Sequence, residues 1–294
     1  MNKFFKNKKL NYFIFGILIV VAILIWLAVF QNKAANYDLK IVFCDVGQGD
    51  AIFIQKSVNE DFLIDGGPDN SVLTCLGNNM PYYDRKIKSI ILTHPHADHL
   101  TGLIEVLKRY EIEEVWITGV FDNSANYLEF QKIIAEKKIP TKIAKAGEMI
   151  ENSQDLNLKI LYPLTSLEGQ KFDNLNLSSI VIRLDYHNLS ALFTGDLEES
   201  KQSDLIKNYS QLKSDILKVP HHGSADSLLT EFLSQVNPSV AVISVGENNR
   251  YGHPSSKTLD KLKKISGLKV YRTDKNGEIK ILSNGQSYEV QTSK

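Results

Sequence analysis

Thr93-His94-Pro95-His96-Ala97-Asp98-His99 is the stretch that decides how this chain reads. It follows the apolar run Ser89-Ile90-Ile91-Leu92 and leads into His99-Leu100-Thr101-Gly102-Leu103-Ile104-Glu105-Val106-Leu107, whose apolar residues recur at helical spacing. Four metal-competent side chains within six residues, placed where a strand ends, are costly to gather without a cation. In a loop, His94 and His96 can face one ion while Asp98 and His99 turn to a second. Imidazole and carboxylate ligands suit zinc or manganese. A solvated loop with accidental histidines is the bland alternative. It accounts for one histidine far better than for His-x-His-x-Asp-His.

The chain has seven histidines, and further chemistry-bearing groups stand at other strand ends. Asp196 closes Ala191-Leu192-Phe193-Thr194-Gly195, where a carboxylate behind a glycine can bridge two cations. His221-His222-Gly223-Ser224 follows the run Asp215–Val219 and Pro220. Adjacent side chains diverge, so one of these histidines ligates and the other is free to touch substrate or donate a proton. His253, in Gly252-His253-Pro254, lies in a loop and carries little weight alone. His187 sits in an apparent hairpin turn and receives no role.

Around these groups, short apolar and β-branched runs alternate with amphipathic ones. Strands are predicted within residues 39–46, 51–55, 62–67, 89–94, 113–119, 158–163, 178–186, 191–196, 216–222, 240–246 and 268–273. Helical patterns fill 99–109, 124–138, 198–208, 225–236 and 256–266. Three consecutive strand runs between Asp38 and Gly67, and a pair joined at His187-Asn188-Leu189, exclude a purely parallel sheet. Two mixed sheets with helices outside are expected, in one domain over residues 38–294. At 43% hydrophobic and 23% charged, the chain is neither disordered nor polytopic. Two cysteines, Cys44 and Cys75, make no disulfide framework and no all-cysteine zinc site. Cys44 reads as a small core residue and Cys75 as part of a polar loop or short helix; whether they pair is open.

The zero net charge is unevenly spread. Residues 1–36 carry five lysines and no acid, which leaves 29 of the 34 basic residues against all 34 acidic ones. A mildly acidic body argues against a nucleic-acid binder driven by charge alone. Residues 13–30 carry no charge, and as a helix they span about 27 Å, close to the roughly 30 Å of a bilayer core. Lys3, Lys6, Lys8 and Lys9 in the segment 1–12 orient it with the N-terminus in the cytoplasm and the body exported. The expectation is a single-pass cell-membrane anchor over 13–30 and a polar linker over 31–37. A cleaved signal peptide is the rival, but the site around Lys33 and Ala35 is poor and no lipobox cysteine is present.

Taken in order, Leu63-Ile64-Asp65-Gly66-Gly67, His94–His99, Phe193–Asp196 and His221–Ser224 resemble the metallo-β-lactamase superfamily. Val46-Gly47-Gln48-Gly49-Asp50-Ala51, Lys218–Ser224 and Tyr251-Gly252-His253-Pro254 narrow the likeness to the hydrolase domain of ComEC-type competence proteins, which take up DNA. The resemblance covers about residues 38–282. It implies an α/β fold, a four-layer αββα sandwich, with two divalent ions at one edge. By that likeness His94 and His96 hold the first ion; Asp98, His99 and His222 hold the second; Asp196 bridges. Asp65 braces the loop from behind. The superfamily commonly adds a histidine to the first site before the bridging aspartate; here Asn176 and Ser179 occupy that stretch, so the first ion is held more weakly.

Two cations roughly 3.5–4 Å apart lower the pKa of a bound water and stabilise a leaving oxygen. A phosphodiester would also meet His221, His253 or Arg250, and His221 suits leaving-group protonation. Asp98, His221 and His253 are therefore the catalytic candidates. Gly47-Gln48-Gly49-Asp50 frames the pocket, or is an ordinary hairpin turn. The leading expectation is a membrane-anchored phosphodiesterase or nuclease that hydrolyses DNA or another phosphodiester with a metal-bound hydroxide, beside a separate DNA-uptake channel. Its rivals are a hydrolase of a phosphocholine ester or nucleotide, and a non-enzymatic accessory of DNA uptake.

Overall fold

Runs such as Leu39-Lys40-Ile41-Val42-Phe43 are apolar on both sides of the strand, the pattern of a sheet covered on both faces. The computed structural model describes residues 8–31, 37–57 and 60–294. β1 (Leu39–Phe43), β2 (Ile52–Gln55), β3 (Asp61–Ile64), β4 (Lys86–Ile91), β5 (Glu111–Ile117) and β6 (Thr141–Ile143) build most of a first sheet. β7 (Met149–Asn152), β8 (Leu156–Tyr162), β9 (Val181–Tyr186), β10 (Leu189–Phe193), β11 (Ile216–Lys218), β12 (Val240–Ile243) and β13 (Lys269–Arg272) form the second. β14 (Ile279–Ser283) and β15 (Tyr288–Thr292) return to the first sheet beside β1. Both sheets are mixed. β1–β3 are antiparallel and β3–β6 parallel; β7–β10 are antiparallel and β10–β13 parallel.

Alternation sorts the side chains into layers. Ile41, Phe43, Ile54 and Ile64 point inward and meet Ile182, Ala191, Phe193 and Val242 of the second sheet. Val42, Phe53, Leu63 and Ile90 point outward beneath the helices α2 (Ser71–Asn79), α3 (Ala97–Arg109) and α4 (Ala125–Lys137). Leu192, Leu217 and Ala241 do the same beneath α5 (Glu199–Asn208), α6 (Thr230–Val236) and α7 (Ser256–Lys263). The result is helix, sheet, sheet, helix.

Cys44 is buried after β1 and Cys75 lies on a short helix, as read, and the pairing left open is settled: the two are bonded across thirty-one residues, which ties α2 to the sheet edge. Two details depart from the sequence reading. The helix expected over 225–236 begins at Thr230, because buried Gln202 accepts from Leu229 N and donates to Ser227 O, occupying backbone groups a longer helix would use. The hairpin β14–β15 and the short strands β6 and β7 lie beyond the predicted set.

N-terminal to the domain, α1 (Lys8–Gln31) is a separate unit of 24 helical residues. Among the described residues no helix is long and apolar enough to cross a membrane. The side chains described on α1 are those of residues 12–24 and Trp26, and they are exposed.

Candidate metal centre

The metal-ligand candidates follow the ends of three strands. β4 runs into Thr93–His99, β10 into Gly195-Asp196, β11 into Pro220–Gly223, and all three reach the same edge of the two sheets. Local backbone makes this work. Gly195 stands at φ +49, and a Cβ there would meet Thr93 Cβ at 3.0 Å and Ser179 Cβ at 3.1 Å. Gly49, in the loop between β1 and β2, brings backbone so close to α3 that a Cβ would lie 2.1 Å from the Asp98 carbonyl oxygen. His221 and His222 both adopt left-handed backbone, with φ of 47° and 51°. This sends their rings in different directions, 70° apart in plane.

The hydrogen bonds settle which imidazole nitrogens face the cleft. Asp65 accepts from Thr93 N at 2.8 Å, from Thr93 Oγ1 at 2.7 Å and from His99 Nδ1 at 2.7 Å. With Nδ1 donating, His99 turns Nε2 inward. His222 Nδ1 donates to Ser244 O at 2.9 Å, with the same consequence. His94 Nδ1 lies 3.1 Å from Thr93 Oγ1, whose own proton is given to Asp65, so this ring also turns Nε2 inward. That atom stands 3.0 Å from His96 Nδ1.

The inward-facing atoms converge. Asp196 Oδ2 is 3.3 Å from His99 Nε2 and 3.4 Å from His222 Nε2; Asp98 Oδ2 is 3.3 Å from His222 Nε2. Yet the buried Nε2 atoms of His99 and His222 have no hydrogen-bond partner. Two orphaned imidazole nitrogens among carboxylates are unfavourable for a site meant to stay as it is, and they fit a divalent cation. Two of the converging donor sets are His94, His99 and Asp196, and Asp98, His99 and His222.

Electrostatics describe the centre before a cation arrives. Burial disfavours charge on His99 and His222, but Asp196 and neighbouring carboxylates outweigh it and hold both pKa values well above the ordinary histidine value, so a bound cation would displace the proton on each Nε2. The same carboxylates attract a cation. His94 is pushed well below its ordinary value by burial and by His99, which leaves it neutral and ready to donate a lone pair. Burial alone would raise Asp98 and Asp196; the surrounding histidines reverse this and keep both ionised.

A cleft of about 290 Å³ opens over these atoms, lined in part by Gln48, His221, Tyr251 and His253. His221 is half-buried, with Nδ1 3.6 Å from Glu198 Oε1 and 3.2 Å from Ser224 Oγ. Asn176 does not reach toward His94. Its amide donates to Glu198 Oε1 at 3.1 Å and lies beside His221. Ser179 Oγ is 3.3 Å from His94 Nδ1 and accepts from Asp196 N at 3.1 Å. His187 is far from this constellation in contact terms, next to Asp155 and Tyr186. Glu198 went unsingled in the sequence, while Lys218 and Asp50 stood inside the matched stretches Lys218–Ser224 and Val46–Ala51 but received no role of their own.

The sequence profile described as Metallo-beta-lactamase superfamily matches residues 44–247. The chain belongs to that superfamily. It is 31% identical to ComE operon protein 3 of Bacillus subtilis (strain 168) over 252 residues, which are 80% of this chain and 32% of that protein. It is 26% identical to competence protein ComA of Neisseria gonorrhoeae, over 86% of this chain and 33% of that one. The likeness to competence proteins read from the motifs is thereby shown, while the chain spans about a third of these relatives' length. Among solved structures, Igni18, a metallo hydrolase from the archaeon Ignicoccus hospitalis, superposes with a TM-score of 0.51 at 13% identity, covering 82% of this chain and 98% of that one. That match speaks for the fold. The superfamily's fold implies divalent metal, and the donor set described above fits it.

Proposed function

We propose that the protein is a membrane-tethered, metal-dependent phosphodiesterase whose body works on the outer side of the membrane. The observation that carries the chemistry is the pair of orphaned imidazole nitrogens, His99 Nε2 and His222 Nε2, turned toward Asp98 and Asp196 at the floor of an open polar cleft. His94 and His96 would hold one ion, Asp98, His99 and His222 the other, and Asp196 Oδ2 would face both. When bound, such ions supply Lewis-acid charge and lower the pKa of a water in the cleft. The chain's own groups do the rest. His221, steadied by Glu198, would pass a proton to the oxygen that leaves phosphorus, while His253 and Gln48 border the path of the anionic substrate.

The competence relatives support nucleic acid as that substrate. The tether is read from the sequence, from the uncharged run 13–30 and the lysines before it, and not from the geometry of α1. The Cys44–Cys75 bond suits an oxidising compartment, in keeping with an exported body.

The test uses the full chain in detergent. Bound metal is counted and bis(p-nitrophenyl) phosphate and single-stranded DNA are assayed with zinc or manganese, alongside Asp196→Ala. Two ions per chain are expected, with turnover in the variant reduced by at least the ~10–100-fold that loss of an outer partner costs. DNA cleavage should weaken as salt rises from about 0.05 to 0.2 M while the small ester is unaffected. Two tightly bound ions with no turnover of either phosphodiester would overturn the reading.

A further inference from the structure

Lysine is the last residue expected at the end of a fully buried strand, yet Lys218 closes β11 with no surface exposed. A buried ammonium is tolerated where its charge and donors are matched. Here Nζ pairs with the Asp50 carboxylate, donates to Gly195 O at 2.9 Å and lies 3.5 Å from Asp196 Oδ1. The Asp196 carboxylate is thus divided: Oδ1 is drawn back to Lys218 while Oδ2 faces His99 and His222. Asp50 is divided as well. Its Oδ2 takes the ammonium, and its buried Oδ1 lies 3.5 Å from His222 Nδ1 with no hydrogen-bond partner.

Asp50 is nonetheless equipped to ligate. It belongs to two of the converging donor sets, one with Asp196 and His222, the other with Asp65 and His99. We propose that Lys218 is a built-in cation of this centre: it fills the carboxylate cage of Asp50 and Asp196, keeps Asp50 out of the metal shell and leaves Asp196 to offer Oδ2 alone. Lys218 is a positioning residue in this account. It acts through Asp196 and also neutralises the carboxylate-rich floor when no metal has yet bound. The inference rests on the ligand set proposed above and not on the substrate.

The test is a double-variant cycle on the full chain in detergent: Lys218→Met, Asp50→Asn and the two combined. Melting temperature is read after chelation and again with zinc or manganese restored, and bound metal is counted. After chelation K218M should melt roughly 5–15 °C lower than the parent, the loss expected when one partner of a buried pair is removed. Metal should close most of that gap, since a divalent ion can replace the ammonium, and metal content should not fall. Adding D50N should raise the chelated melting temperature of K218M, because the stranded charge causes the loss. Equal destabilisation with and without metal, or a further loss on adding D50N, would make Lys218 a packing residue and overturn the proposal. Should K218M alone not fold, the combined variant decides: folding supports the proposal, and failure to fold overturns it. No activity is read, so a wrong substrate leaves the outcome untouched.

Discussion

His99 shows how one residue divides its work between two atoms. Nδ1 is committed to Asp65, and this commitment aims Nε2 at the cleft. Asp65→Asn puts an amide N–H opposite Nδ1 if the carbonyl keeps its bond from Thr93 N, so the imidazole must accept there and carry its proton on Nε2. The fold should persist while metal affinity drops by about 10–100-fold, measured by competition with a chromophoric chelator. This level of the site was readable where residues cluster: His-x-His-x-Asp-His announces itself because four ligand types coincide within one loop. Lys218 was legible as part of a motif, but its role was not. A lysine at the end of an apolar run says nothing about Asp50, which lies far away in sequence and meets it only after both sheets have formed. Asn176 was legible as part of the site, but its observed partners, Glu198 and His221, depend on a tertiary contact across the cleft.

At the scale of elements, the strands deliver their groups because each ends in a backbone conformation ordinary residues resist. Gly195→Ala forces a Cβ into left-handed backbone and against Thr93 and Ser179. Unfolding by denaturant should show a loss of roughly 1–3 kcal/mol with an unchanged slope. The bond between Cys44 and Cys75 constrains α2 in a different way. Replacing both by serine should cost about 3–4 kcal/mol, as expected from releasing a loop of thirty-one residues, in the same measurement. The buried strands were legible from their doubly apolar runs. Helix α2 was less so, since Ser71-Val72-Leu73-Thr74-Cys75 is short and β-branched, and it is held by Val72 and Leu76 packing on the sheet. The hairpin β14–β15 was missed because β15 is a half-exposed edge whose pairing, not its composition, makes it a strand.

For the molecule as a whole, one buried acid away from the cleft sets a pH response. Asp61, on β3, is pushed up to about 7 by burial; Gln55 and Lys40 pull the other way, and Asp84 adds to the rise. Between about pH 4 and about 7 the native chain therefore holds a proton that the unfolded chain has released. The contribution of Asp61 to stability declines as pH climbs through that window and levels off above it. Asp61→Asn should flatten this part of the profile and leave the protein more stable at neutral pH, by thermal or denaturant unfolding across pH.

The order of the ligands along the chain has a consequence of its own. His94 to His99 belong to the first half of the domain; Asp196 and His222 arrive after the exposed stretch 168–171, and β14–β15 then cross back to complete the first sheet. Under the proposed ligand set, a chain severed in that stretch leaves neither fragment with a full chelating set. The ion is captured only by a correctly assembled whole, so coordination serves as a proofreader of folding: a misassembled copy would betray itself by failing to hold metal.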